Sequence, residues 1–206
     1  MDTDPDDPGL TALAVGPAEL RALLDERAIH RVLTRYATGI DRRDFAMVAA
    51  CYHPGATDDH GTFKGTVEEF IPWVEGRLAS FDTTMHFLGN VSIDLLPDPV
   101  DSAATTGPGG AGSVRVAHVE TYCVAYHRLA GRDTDSIAGL RYIDRFECRG
   151  GEWRIADRTI VVEWNRLDDV HALGFGPEYV RGTHDRTDPY YRREAGSAPE
   201  RPEAGA

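Results

Sequence analysis

A change of period near residue 80 constrains the fold of this chain more than any other feature. Up to Leu78 the apolar residues recur at helical spacing, whereas after Phe81 they come in runs rich in Val, Ile, Thr, Tyr and Phe. Helices with one apolar stripe, followed by strands with one apolar face, bury both by packing on each other. The expected architecture is an α+β domain with its helices against a curved antiparallel sheet. Pro17 to Thr38 reads as the first helix, with Ile29, Val32, Leu33, Tyr36 and Ile40 on one face and Gly39 at its end. Asp44 caps a second helix, whose stripe of Phe45, Val48, Ala49 and Tyr52 stops at Pro54-Gly55. Thr66-x-x-Glu69 is a capping box that opens a third, with Pro72 inside it. Strands are expected near 84–95, 113–127, 137–149 and 152–163, the last two joined by a hairpin at Arg149-Gly150-Gly151-Glu152.

Composition sets the remaining boundaries. Residues 1–16 are Asp/Pro/Gly-rich and read as a flexible segment, 17–164 as the domain, and 97–112 as a flexible insertion within it. Residues 165–206 form a polar C-terminal arm. Its Phe175, Tyr179, Tyr190 and Tyr191 suit it to lie over a neighbour or, with His171 and His184, to cover a cavity. A formal charge of −12, with Arg scattered among carboxylates, argues against nucleic acid as a partner. No stretch offers the roughly 20 apolar residues that span a bilayer, and the acidic start lacks the basic residues of a signal peptide. A cytoplasmic location is expected. Cys51, Cys123 and Cys148 make neither an even disulfide framework nor a Cys-x-x-Cys pair, which suits a reducing compartment.

Two short strings carry the chemistry. Tyr36-Ala-Thr-Gly-Ile-Asp41 and Thr84-Met-His86-Phe-Leu-Gly-Asn90 put a phenol, a carboxylate and an imidazole into mostly apolar surroundings, the equipment of a proton-transfer pocket. Each has a plainer alternative: Asp41 as a helix cap or a partner of Arg42 or Arg43, His86 as a hydrogen-bonded core histidine, Tyr36 as a packing residue. Asp58-Asp59-His60 looks like a metal cluster, but consecutive residues of an extended strand point to alternate faces, so no metal site is expected. Asn90 and Thr84 share the strand parity of His86, and His118 and Glu120 share one face of the next strand.

The helix ending in Tyr36-Ala-x-Gly-Ile-Asp41, the stretch Cys51-Tyr-His-Pro-Gly-Ala-Thr-Asp-Asp-His-Gly61, the His86 strand, and Arg141-Tyr-x-Asp-x-Phe-Glu147 with Gly151-Glu-Trp-Arg-Ile155 together resemble the SnoaL-like branch of the nuclear transport factor 2-like superfamily. The resemblance spans about residues 18–164. It implies a cone-shaped α+β barrel, three helices wrapped by a bent antiparallel sheet. Members include scytalone dehydratase, bile-acid 7α-dehydratase, ketosteroid isomerase, polyketide cyclases, a dehydrochlorinase and non-enzymatic binders, so fold alone does not settle function. Dehydratase-like members keep an Asp at the end of the first helix and a His on the facing strand, matched here by Asp41 and His86. The bile-acid dehydratase also carries a Tyr five residues before that Asp, matched by Tyr36.

The resemblance therefore implies a cofactor-independent dehydratase acting on a hydroxylated polycyclic, steroid-like or polyketide-like substrate. Isomerase or cyclase chemistry at the same residues, or a non-catalytic binding module, are the alternatives. It further implies an arginine late in the sheet, best matched by Arg141 with Arg158 second, and His118 as another pocket histidine. A homotrimer is expected, with dimers known among relatives. Phe63, Trp73, Val74 and Phe87 are expected as apolar walls, with Asn90 as a polar contact.

Overall fold

The computed structural model of the chain describes residues 15–97, 114–171 and 174–192. The segment before residue 15, nearly all of the expected insertion and the end of the arm lie outside the described residues. Helix α1 (Pro17–Asp41) does not stop at Gly39 but runs on to Asp41. Gly39 is needed for contact rather than for termination: a Cβ there would sit 2.8 Å from Val48 Cγ2, on the helix that crosses it. The turn that follows is made by Arg43, at φ 52°, a left-handed conformation usually left to glycine. Its guanidinium holds that turn in place by donating to the carbonyls of Phe81 at 2.6 Å and Leu78 at 3.2 Å.

Helix α2 (Phe45–Ala49) is capped as expected, with Asp44 accepting the Met47 backbone N–H at 3.0 Å. It is shorter than its apolar stripe suggested, because Tyr52–Asp59 forms strand β1. The break at Pro54-Gly55, with Gly55 at φ 72°, falls where the register of β1 shifts, and this irregularity hides the strand's alternation. Strand β2 (Lys64–Thr66) leads into helix α3 (Val67–Leu78), whose capping box forms: the Glu69 carboxylate accepts the Thr66 backbone N–H at 2.9 Å.

The long strands are β3 (Phe81–Leu95), β4 (Arg115–Leu129), β5 (Thr134–Arg149) and β6 (Glu152–Asp169). They form an antiparallel meander, and β6 takes in the first residues expected to belong to the arm. The six-stranded sheet has the order β2-β1-β6-β5-β4-β3, with β1 parallel to β6, so the sheet is mixed. Gly150 and Gly151, both at positive φ, make the β5–β6 hairpin turn.

Inward-facing residues of the meander (Val119, Cys123, Ala125, Tyr142, Phe146, Ile155) pack on Ile29, Leu33 and Ile40 of α1 and Phe70 and Val74 of α3. Each large aliphatic or aromatic side chain fully buried there stabilises the fold by about 1.5–3 kcal/mol. The outer face keeps Met85, Phe87, Tyr122, Val124, Val162, Trp164 and Leu167 exposed. Helix α4 (Pro189–Arg192) closes the described part of the arm, which folds back on its own domain. All three cysteines are buried free thiols. Among the described residues no helix is long and apolar enough to cross a membrane.

Candidate active site

Extension of α1 past Gly39 places Asp41 against β3. On that strand Thr84 and His86 face inward while Met85 and Phe87 face outward. Asp41 Oδ1 lies 2.7 Å from His86 Nδ1 and accepts the Thr84 hydroxyl at 3.1 Å, while Oδ2 accepts the His86 backbone N–H at 2.9 Å. A carboxylate held by both the amide and the ring of one residue is fixed in rotation. Burial pushes the Asp41 carboxyl up, but these hydrogen bonds and the attraction of His86 outweigh it and hold the group below its usual range. An ionised carboxylate only accepts, so Nδ1 carries the ring proton. Nε2 has no hydrogen-bond partner among the described residues.

His127, which the sequence reading missed, stands opposite Thr84 on β4 and so faces inward as well. Its ring meets that of His86 edge-on at 5.3 Å and packs against Phe81 at 4.6 Å. Burial, helped by the neighbouring His86, lowers its pKa to about 4, so it stays neutral at neutral pH. The detectable signal is parity: His127 continues the inward series Ala117, Val119, Thr121, Cys123, Ala125.

A cavity of about 790 Å³ opens beside the dyad. Thr34, Ala37 and Thr38 of α1 form one wall, His86, Phe87 and Leu88 of β3 a second, and the arm from Val180 to Gly182 and Asp188 to Arg192 a third. The arm is tied to the turn just after Asp41. Arg42 Nη1 lies 3.4 Å from Asp188 Oδ2 and donates to the Thr183 carbonyl at 3.2 Å, the Tyr191 hydroxyl donates to Asp44 at 2.9 Å, and Arg186 pairs with Asp44 at 3.0 Å.

Tyr36 does not join this site. It is 2% exposed and does not border the cavity, since five helical residues turn it about 140° away from Asp41. Its ring lies 4.2 Å from the Arg158 guanidinium and meets Tyr142 and Tyr52 edge-on at 5.8 and 6.0 Å. Burial raises its pKa well above the usual phenol value. Arg158 is 0% exposed and forms a two-point ion pair with Asp144, both bonds 2.7 Å. Beside it the Tyr52 hydroxyl donates to Asp58 at 2.6 Å, and Asp58 contacts His60. This sealed cluster occupies the interior of the cone.

The remaining expected residues are not brought to the dyad either, except Phe87, which lies on the outer face but borders the cavity at its edge. Arg141 stands on the outer face between Glu120 at 2.5 Å and Glu163 at 2.7 Å, because its neighbour Tyr142 takes the inward position. His118, one residue out of step with Val119, is outward for the same reason. Asn90 loses the parity of His86 to a register shift between Leu88 and Val91. Phe63 and Trp73 join Phe70 and His60 in an aromatic cluster between α3 and the β1–β2 turn, with ring centroids 4.8–5.9 Å apart, and Val74 is core. Among the described residues no group of three or more His, Cys, Asp or Glu side chains is placed to hold a metal ion.

The chain matches the SnoaL-like domain model over residues 21–159. No curated protein matches. Among solved structures it is similar to a candidate scytalone dehydratase from Novosphingobium aromaticivorans, at 21% identity and a TM-score of 0.56, covering 76% of this chain and 94% of that one. It is similar also to a type 2 hexachlorocyclohexane dehydrochlorinase (13%, TM-score 0.59, covering 79% and 99%) and to a Mycobacterium tuberculosis protein of unknown function (17%, TM-score 0.57, covering 73% and 78%). At these identities the fold is what is shared: a curled sheet around helices, the form taken by nuclear transport factor 2-like proteins. The domain match covers most of the chain, and the chain belongs to the SnoaL-like family.

Proposed function

We propose that the chain is a cofactor-independent lyase that removes water from a β-hydroxy carbonyl compound with a polycyclic or polyketide-like skeleton. The observation that carries this reading is the 2.7 Å Asp41–His86 bond in the wall of a 790 Å³ cavity. That volume suits a ligand of several fused rings. Elimination needs a base for the acidic α C–H and an acid for the departing hydroxide, and one imidazole serves for both. Nε2 of His86 takes the α proton, the C–H electron pair becomes the new C=C bond as the C–O bond breaks, and the proton on Nε2 passes to the leaving hydroxide as water. Asp41 holds the ring and stabilises the imidazolium between the two transfers. Tyr36 has no place in this scheme, because the sealed cluster keeps it from the substrate.

Further support comes from the fold and the dyad together: dehydratase and dehydrochlorinase chemistry is named for structures of the same shape. The test is turnover of a panel of polycyclic β-hydroxy ketones, with loss of deuterium from substrates labelled at the α carbon followed as they are consumed. Loss of oriented acid–base catalysis should lower both rates about 10²–10⁴-fold in His86→Gln and Asp41→Asn. Full activity in either variant, with the fold retained, would sink the dyad as the catalytic unit.

A further inference from the structure

We propose that the substrate carries a terminal acid group, a carboxylate or phosphate, and that Arg181 and Arg192 of the C-terminal arm receive it at the cavity mouth. This deepens the reading above and rests on its assignment of the cavity as the substrate site.

The chain has a net charge of −12, yet the cavity beside the dyad is bordered by three arginines and only two carboxylates. Both carboxylates are already engaged. Asp41 is spent on His86 and Thr84, and Asp188 on Arg42 and the backbone N–H groups of Thr183 and Tyr190. Arg42 is likewise committed, to Asp188 and to the Thr183 carbonyl. Arg181 and Arg192 are different. Arg181 is exposed, lies over the Phe175 ring at 5.0 Å and gives one hydrogen bond to the Phe175 carbonyl, so most of its donors are unused. Arg192 is exposed and has no ionic partner among the described residues.

The lining combines apolar Ala37, Leu88 and Val180, which suit a hydrocarbon skeleton, with positive charge at Arg181 and Arg192 of the arm. A guanidinium fork matches the two oxygens of a carboxylate or phosphate and is weakly hydrated, so it gains more than an ammonium would from such a ligand. Because the arm is latched to Arg42 and Asp44, directly after Asp41, the backbone that carries both arginines is tied beside the helix end that positions the reacting histidine. Acid recognition and proton abstraction are thus set by one turn of the chain.

Three fluorescent probes test this on the full chain: 1-pyrenebutyrate, its methyl ester and 1-pyrenebutyl phosphate, in titrations at 50 and 500 mM salt. At low salt at least one acid should bind about tenfold tighter than the ester, the scale of a charge-assisted hydrogen bond at a partly solvated site, and high salt should weaken the acid alone. Which acid wins identifies the group. The Arg181→Gln/Arg192→Gln variant should bring acid and ester within about threefold of each other, a lost charge contact. His86→Gln should keep the preference for acid, since it removes the base and leaves the arm. An ester that binds as well as both acids, a preference that survives the double arginine variant, or no saturable binding of either acid would overturn the proposal. A dyad that fails in turnover assays while the acid preference persists would locate the error in the chemistry instead.

Discussion

Asp41–His86 and Asp144–Arg158 are both buried acid–base couples on the inner side of one sheet, and their surroundings differ completely. The first borders a cavity, and its histidine keeps one nitrogen without a partner among the described residues; the second is fully buried, with the rings of Tyr36, Tyr52 and Tyr142 beside its guanidinium. The Asp41 carboxylate is satisfied by a backbone amide, a hydroxyl and a ring, groups that leave the imidazole able to gain and lose a proton. Arg158 never loses its proton, and its charge is neutralised in place by Asp144 and covered by ring faces. Burial of polar groups alone therefore does not mark a reactive site. What marks it is a titratable atom left over at a space large enough for a substrate.

The most forceful way to break this comparison is to remove the sealed arginine. Arg158→Met leaves the Asp144 carboxylate buried without its partner and should cost about 3–5 kcal/mol, read as a lower urea midpoint, with an added Asp144→Leu recovering part of the loss. If Arg158→Met instead keeps wild-type stability and abolishes turnover, the sealed cluster belongs to the chemistry after all.

A smaller effect sharpens the first couple. His127 titrates near 6.5 in the unfolded chain and at about 4 when folded, so between those values the unfolded state binds the extra proton. Stability should fall as pH drops from 6.5 to about 4 and lose nothing further to this group below that. His127→Asn should flatten the decline in that window, measured as urea midpoints across the pH range. Asp41 acts in a separate window: its lowered pKa gives stability that is complete above the ordinary Asp range and fades only as pH falls below it. An unchanged slope in His127→Asn would mean that His127 is already charged beside His86.

Much of this was legible in the sequence, and the exceptions have definite causes. The period change, the Asp44 cap, the capping box at Thr66 and the glycine hairpin act locally and form as read. So does the Asp41–His86 pairing, which needs only a helix end and an inward strand position. Strand β1 was read only at its Asp58-Asp59 end because Pro54-Gly55 interrupts its alternation, and Asn90 was placed inside because nothing local announces the register shift after Leu88. Arg141 and Arg158 could not be told apart without register, since adjacent strands put similar residues on opposite faces. The arm's place at the cavity depends on Arg42 and Asp44 meeting residues more than 140 positions away, a contact without any local pattern.

Tyr36 is the finest test of the contrast between the two couples, because it sits on the same helix as Asp41 and belongs to the other cluster. Its hydroxyl is held among Arg158 and Tyr52, and its ring supports the guanidinium. Tyr36→Phe keeps the ring and the packing and removes only the hydroxyl, so it should cost about 1 kcal/mol of stability, the scale of one hydrogen bond. Turnover should change less than about threefold, since general acid catalysis by this phenol, worth ~10²-fold or more, plays no part in the scheme. The two readouts separate the roles: a stability loss with intact kcat places Tyr36 in the scaffold beside Arg158. A kcat that drops by about 10²-fold with unchanged stability would instead mean that its hydroxyl reaches the reacting atoms, and that the cluster opens when substrate binds.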